Sequence, residues 1–110
     1  MQNYSRNDVV LIRYPFSDLS GSKVRPAIVA SAEHISEDIF VVPLTSRISS
    51  LLPGEFELKD WKSAGLNVPT AVKRGIYTMR NDLVVRKVGY LSNDDSKRLE
   101  NSMRGWLGFQ

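Results

Sequence analysis

There is no cysteine among the 110 residues of this chain. That excludes disulfides, thiolate catalysis and cysteine-ligated zinc together. Histidine is nearly absent as well, His34 standing alone, so any metal would rest on carboxylates. The acidic residues show no Asp-x-Asp or His-x-x-x-His spacing, and no metal or other cofactor is expected. Long apolar runs are missing too. No segment approaches the roughly 18 consecutive apolar residues of a membrane helix, and Met1-Gln2-Asn3-Tyr4-Ser5-Arg6 lacks the apolar core of a signal peptide. The chain is therefore expected to be soluble and cytoplasmic, without a membrane partner. Gly21 in Ser20-Gly21-Ser22-Lys23 lacks the Gly-x-x-x-x-Gly-Lys spacing of a triphosphate loop, and no Gly-x-Ser-x-Gly elbow supports a hydrolase triad. No internal repeat or low-complexity segment occurs. Metal-free phosphodiester chemistry stays open to this residue set.

What is present fits one small domain over residues 1–110. A hydrophobic share of 42% supports one core, and a chain this short buries its surface only marginally, so pairing with a copy of itself or with another chain is expected. The dominant apolar period is two, in short runs separated by turn residues, which indicates a mainly β fold, a small barrel or sandwich. Asp8 to Tyr14 reads as the first strand, closed by Pro15 and a turn-rich loop, Ser17-Asp18-Leu19-Ser20-Gly21-Ser22. Val24 to Ser31 is the second strand, with Pro26 near its start where a missing amide is tolerated, and Asp38 to Leu44 is the third. Glu55-Phe56-Glu57-Leu58 alternates like an edge strand. Asp60 is placed to cap one helical turn ending at Gly65, with Trp61 and Leu66 as core plugs. Thr70 to Met79 and Leu83 to Leu91 complete the strands, joined through Arg80-Asn81-Asp82 as a hairpin.

The carboxyl end changes period. Ser92-Asn93-Asp94-Asp95 resembles an N-cap with an acid at the third helical position, and Leu99, Met103, Trp106 and Leu107 follow at helical spacing. One amphipathic helix is expected to pack on the sheet, fraying near Gly105 and Gly108.

Two strand ends carry a polar residue out of character with their apolar runs. Arg25 opens Arg25-Pro26-Ala27-Ile28-Val29, where its planar fork could meet a phosphate; an ion pair with Asp18 or Glu33 is the competing role. Thr45 and Ser46 end Val41-Val42-Pro43-Leu44, where hydroxyls either reach a site on a rigid support or bond the local backbone. Arg47 adds a further donor beside them. Net charge is +3, and residues 70–90 concentrate it in Lys73, Arg74, Arg80, Arg86 and Lys87, against Asp82 alone. Interleaved with Tyr77 and Tyr90, this band suits a nucleic-acid backbone or, equally, a solvated sheet face. His34, in a polar loop, is a bystander.

In their order and spacing, Asp8-Val9-Val10, Tyr14-Pro15-Phe16-Ser17-Asp18, Ser20-Gly21-Ser22-Lys23, Arg25-Pro26-Ala27, Pro43-Leu44-Thr45-Ser46, Trp61 with Ala64-Gly65-Leu66, and Gly89 with Leu91-Ser92 resemble the PemK/MazF family of toxin endoribonucleases. The resemblance covers almost the whole chain. It implies a small SH3-like barrel of about five to seven strands with a short mid-chain helix and a C-terminal helix. It also implies a homodimer, a cognate antitoxin partner, and metal-independent cleavage of single-stranded RNA.

On matching positions the resemblance implies that Arg25 and Thr45, with Ser46 adjacent, form the active site. The ribose 2′-hydroxyl would attack the neighbouring phosphate, leaving a cyclic phosphate and a 5′-hydroxyl. Arg25 would stabilise the phosphorane and protonate the leaving oxygen, while Thr45 would orient a phosphate oxygen. Since a guanidinium pKa lies above about 12, the general base stays unassigned, with Asp18 and Glu33 as candidates. Phe16, Lys23, Arg47, Lys73 and Arg74 are placed to line an RNA groove. Two departures stand out: Asn7 where relatives carry glycine, and Val72-Lys73-Arg74-Gly75-Ile76 without the acid that relatives carry there. A non-catalytic nucleic-acid or protein-binding module of the same fold is the alternative.

Overall fold

A computed structural model of the chain describes residues 3–14 and 23–109. Seven antiparallel strands, β1 (Asp8–Tyr14), β2 (Lys23–Val29), β3 (Asp38–Thr45), β4 (Phe56–Glu57), β5 (Ala71–Val72), β6 (Tyr77–Arg80) and β7 (Val84–Tyr90), precede one helix, α1 (Asn93–Leu107). The main path runs β4-β5-β3-β2-β1-β7, and β6 pairs β3 beside β5. The expected mainly β fold with a C-terminal helix is borne out; the sheet does not close, since among the described residues no ladder joins β4 to β7.

Alternation assigns the side chains to two cores. Val9, Ile28, Val42, Leu44 and Val72 point to the face covered by α1, where they meet Leu58, Leu91 and Leu99. Val10, Ile12, Ala27, Val29 and Val41 point to the other face and pack with Tyr4, Tyr14 and Ile39. Burial on both faces explains why β1 and β2 read as nearly continuous apolar runs. Trp61 and Leu66 pack on the helix-side core as expected, with Met103 and Trp106. Leu107, read as a core position, is instead 54% exposed, because it falls in the last turn of α1, beyond the edge of that core.

The helix starts where its cap predicts: the Ser92 Oγ accepts from the Asp95 N–H at 3.2 Å. It runs through Gly105 and stops at Gly108, whose N–H reaches the Arg104 and Gly105 carbonyls. Asp95 does more than donate to the cap. Fully buried, its carboxylate accepts from the Lys59 and Asp60 N–H groups at 3.0 and 2.9 Å, tying α1 to the 59–66 segment. That segment forms hydrogen-bonded turns, Ala64 N–H to the Asp60 carbonyl and Gly65 N–H to the Lys62 carbonyl, in place of the expected short helix. Its first amides are held by Asp95 from another element rather than by a local cap.

Residues 70–79 are two strands, not one. β5 pairs the end of β3 and β6 pairs its beginning, with a break at Gly75, φ +150°, a backbone conformation open mainly to glycine. Nor is Arg80-Asn81-Asp82 a hairpin. A 3-10 turn, Asn81–Leu83, carries the chain from β6 on the β3 edge to β7 on the β1 edge, so the two strands never pair.

Candidate functional site

The site begins with a missing amide. Asn7 donates to the Val29 carbonyl on the β1 side at 2.8 Å, and Ala30 donates to the Phe40 carbonyl on the β3 side at 2.7 Å. Backbone groups point alternately to either side of a strand, so Pro26, in phase with Ala30, faces β3 and stands opposite Leu44. Proline has no hydrogen to give the Leu44 carbonyl. The β2–β3 ladder stops one pair earlier, at Ala27 with Pro43. Beyond it β2 stays on β1 as far as Lys23, β3 stays on β5 through Thr45, and the two strands part.

Arg25 and Thr45 flank this fork. Continued two residues past Ala27 and Pro43, the register sets Arg25 against Thr45 on one face. Lys73 joins that row, since its N–H reaches the Pro43 carbonyl at 2.9 Å. Two clefts open at the fork, and Arg25, Leu44 and Thr45 line both. The helix-side cleft, of 570 Å³, also takes in Ser46, Arg47, Asn67 and Arg86. The far-side cleft, of 460 Å³, takes in Lys73 with Tyr14 and Tyr77.

The electrostatics are one-sided. Neither lining contains an Asp, Glu or His among the described residues, and no described acid pairs with Arg25, Arg47 or Arg86. Several other guanidinium groups are met by carboxylates: Arg6 by Glu100 at 3.2 Å, Arg80 by Glu37 at 3.3 Å and Asp82 at 2.9 Å, Arg98 by Asp95 at 3.1 Å. Cations without counter-charges in a concave site attract a polyanion. Thr45 Oγ1 accepts the Arg47 N–H at 3.1 Å, which fixes the oxygen and leaves its own hydrogen for a ligand. Burial, and secondarily Tyr77, push the Tyr14 phenol above its ordinary value, so it remains a neutral hydroxyl. No group of three acids or histidines among the described residues is arranged to hold a metal ion.

The sequence candidates are thus divided. Arg25, Thr45, Ser46, Arg47 and Lys73 come together at the fork. Lys23 lies on the same strand as Arg25, exposed, and lines neither cleft. Arg74 lines neither cleft; its N–H is held at 2.8 Å by Glu55 Oε2, and that bond, followed by the Leu52 N–H, lowers the Glu55 pKa. Glu33 and His34 line a separate small cavity with Tyr4 and Asn81, which removes Glu33 as a base at this site. His34 Nδ1 accepts the Ser36 N–H at 3.0 Å, a turn contact. Phe16 and Asp18 lie outside the described residues. Sequence reasoning did not single out Tyr14 or Asn67, and left Tyr77 and Arg86 undistinguished within the basic band.

The family model of the PemK-like, MazF-like toxin of type II toxin-antitoxin systems matches residues 5–107. No curated protein matches by sequence. Among solved structures, an endoribonuclease in complex with its cognate antitoxin from a Mycobacterial species is similar with a TM-score of 0.77 at 19% identity, covering 100% of this chain and 98% of that one. The Mycobacterium tuberculosis toxin MazF-mt6 gives 0.76 at 19% identity, covering 94% and 98%. MazF in the MazE-MazF complex of Deinococcus radiodurans gives 0.77 at 17% identity, covering 100% of both chains. At these identities the structures speak for the fold, while the family model spans nearly the whole chain: it belongs to the PemK-like, MazF-like toxin family of type II toxin-antitoxin systems.

Proposed function

We propose that this toxin is an endoribonuclease that cuts single-stranded RNA without a metal, at the fork between β2 and β3. The observation that carries the reading is that Arg25 and Thr45 flank the parted strand ends, in clefts whose described lining holds cations and no acids. A phosphodiester seated there meets the Arg25 fork and the free Thr45 hydrogen together. As the ribose 2′-oxygen attacks phosphorus and the 5′-oxygen leaves, negative charge grows on the phosphoryl oxygens. Donors already aimed at those oxygens lower the barrier without reorganising. Ser46 supplies a second hydroxyl. The nucleophile belongs to the substrate, which restricts the reaction to RNA; the described lining holds no Asp, Glu or His, so the 2′-proton passes to solvent and the departing 5′-oxygen takes its proton from solvent.

Tyr77, half exposed beside Lys73, gives the far-side cleft an aromatic face for a base and a charge for phosphate, with the buried Tyr14 on its floor. A 600 Å³ groove along α1, with Phe40, Ile76, Leu107 and Phe109 exposed at it, supports assembly as a homodimer. In two of the similar structures a toxin is held in complex with an antitoxin, and we extend a cognate antitoxin to this chain, with action in the cytoplasm as a single toxin domain.

The test is incubation of the purified protein with long single-stranded RNA in EDTA, with the new ends mapped. Fragments bearing cyclic phosphate and 5′-hydroxyl ends, lost with Arg25→Ala and with Thr45→Ala, are expected. Intact RNA from folded protein would leave a binding module instead, and cleavage that survives both substitutions would remove the site.

A further inference from the structure

We infer that the helix-side cleft is a second RNA subsite, in which Arg86 grips the phosphate next to the scissile one. The inference rests on the RNA reading above and adds a positioning residue to it. Three observations carry it. First, the cleft and its neighbour share Arg25, Leu44 and Thr45, so a strand whose scissile phosphate sits at the fork has a groove on either side. Second, Arg86 stands across the sheet from the fork: it pairs Leu11 of β1, and Leu11 pairs Pro26 of β2. Paired residues share a face, which sets Leu11 as an apolar floor between Arg86 and the residue before which Arg25 sits. Third, neither Arg86 nor Arg47 has a described carboxylate partner, whereas the adjacent Lys87 is held at 3.2 Å by buried Asp8 and lies 3.7 Å from the centre of the Tyr90 ring.

The rest of the lining suits a nucleotide better than a peptide carboxylate alone. Asn67 offers donor and acceptor groups, and Leu11, Leu66 and Val68 offer an apolar wall for a base. A guanidinium binds a phosphate through two parallel N–H bonds, and each phosphate neutralised on a single strand contributes about 0.7 to the slope of log affinity against log salt.

The experiment uses a short 2′-O-methyl RNA of mixed sequence, which lacks the attacking hydroxyl and reports binding alone, titrated over a range of salt by fluorescence anisotropy. Arg86→Gln is expected to lower affinity about tenfold at low salt and to reduce the slope by about 0.7, while Arg86→Lys restores the slope. On cleavable RNA, Arg86→Gln is expected to raise KM with little change in kcat. An unchanged slope and affinity would overturn the inference even where the parent cleaves RNA. A parent that binds no RNA, but loses an acidic peptide on Arg86→Gln, would overturn it in favour of antitoxin contact. Full binding behaviour with no cleavage of the natural RNA would sustain the subsite and remove the nuclease.

Discussion

Replacing Asp95 by alanine is expected to destabilise the domain by about 3–4 kcal/mol. The carboxylate is fully buried and accepts from the Lys59 and Asp60 amides and from Arg98 Nη1 at 3.1 Å. Alanine leaves two N–H groups orphaned beneath α1. An unsatisfied buried donor costs about 1–3 kcal/mol, so the pair costs about 4 kcal/mol. Arg98 is 44% exposed and rehydrates on losing its partner, adding little. The better helix propensity of alanine returns about 0.5 kcal/mol. Against a typical total of about 5–15 kcal/mol, this is a large share, readable as a melting point lowered by about 12–16 °C at about 4 °C per kcal/mol. Asp95→Asn keeps one acceptor and turns its own amide toward the other N–H, so it falls between the two. Urea denaturation at neutral pH measures both. If Asp95→Ala unfolds within about 0.5 kcal/mol of the parent, the 59–60 amides find water or other partners and the assigned tie between α1 and the 59–66 turns is wrong.

Two further outcomes concern backbone approach and pH. A Cβ at Gly89 would lie 2.4 Å from the Ala64 carbonyl oxygen and 2.6 Å from its carbon, so Gly89→Ala must push β7 and the 59–66 turns apart. A loss of about 1–3 kcal/mol is expected, whereas Gly105→Ala, in α1 with nothing within 4 Å, is expected to gain about 0.5–1 kcal/mol; chemical denaturation of both variants checks the contrast. Glu55 has a lowered pKa because the Arg74 and Leu52 N–H groups bond its carboxylate. Its contribution is therefore present above the ordinary value of 4.5 and lost as pH falls below it, where the unfolded chain takes up the proton first. Comparing urea midpoints at neutral and acidic pH, Glu55→Gln is expected to flatten that decline; an equal slope in both proteins would refute the assignment.

Much of this architecture is legible in the residues themselves. The period-two runs marked β1, β2 and β3, and the Ser92 cap with its downstream apolar stripe marked α1, because these signals act within one or two turns of chain. The reading of residues 70–79 as one strand failed where Gly75 lets the chain leave the β3 edge and rejoin it. The hairpin at residues 80–82 failed for a related reason. Turn residues report a change of direction, and only pairing partners far along the chain decide that β6 joins β3 and β7 joins β1.

The basic band divides the same way. Its composition is a fact of sequence, yet which cations are left to meet a ligand depends on acids brought from elsewhere: Glu37 neutralises Arg80, Asp8 holds Lys87, and Glu55 fixes the backbone at Arg74. Arg86 and Lys87 are neighbours in sequence, but they pair Leu11 and Val10 on opposite faces of β1, so one lines a cleft and the other closes an ion pair.

By itself, then, the sequence determined the kinds of element, the two-faced core and the residue types open to phosphate chemistry, since alternation, caps and the missing proline amide are local properties of the chain. The tertiary structure alone decided that Pro26 would open a fork against Leu44, that Arg25 and Thr45 would flank it, and that Glu33 would lie elsewhere, because those relations join residues that meet only when β2 and β3 pair.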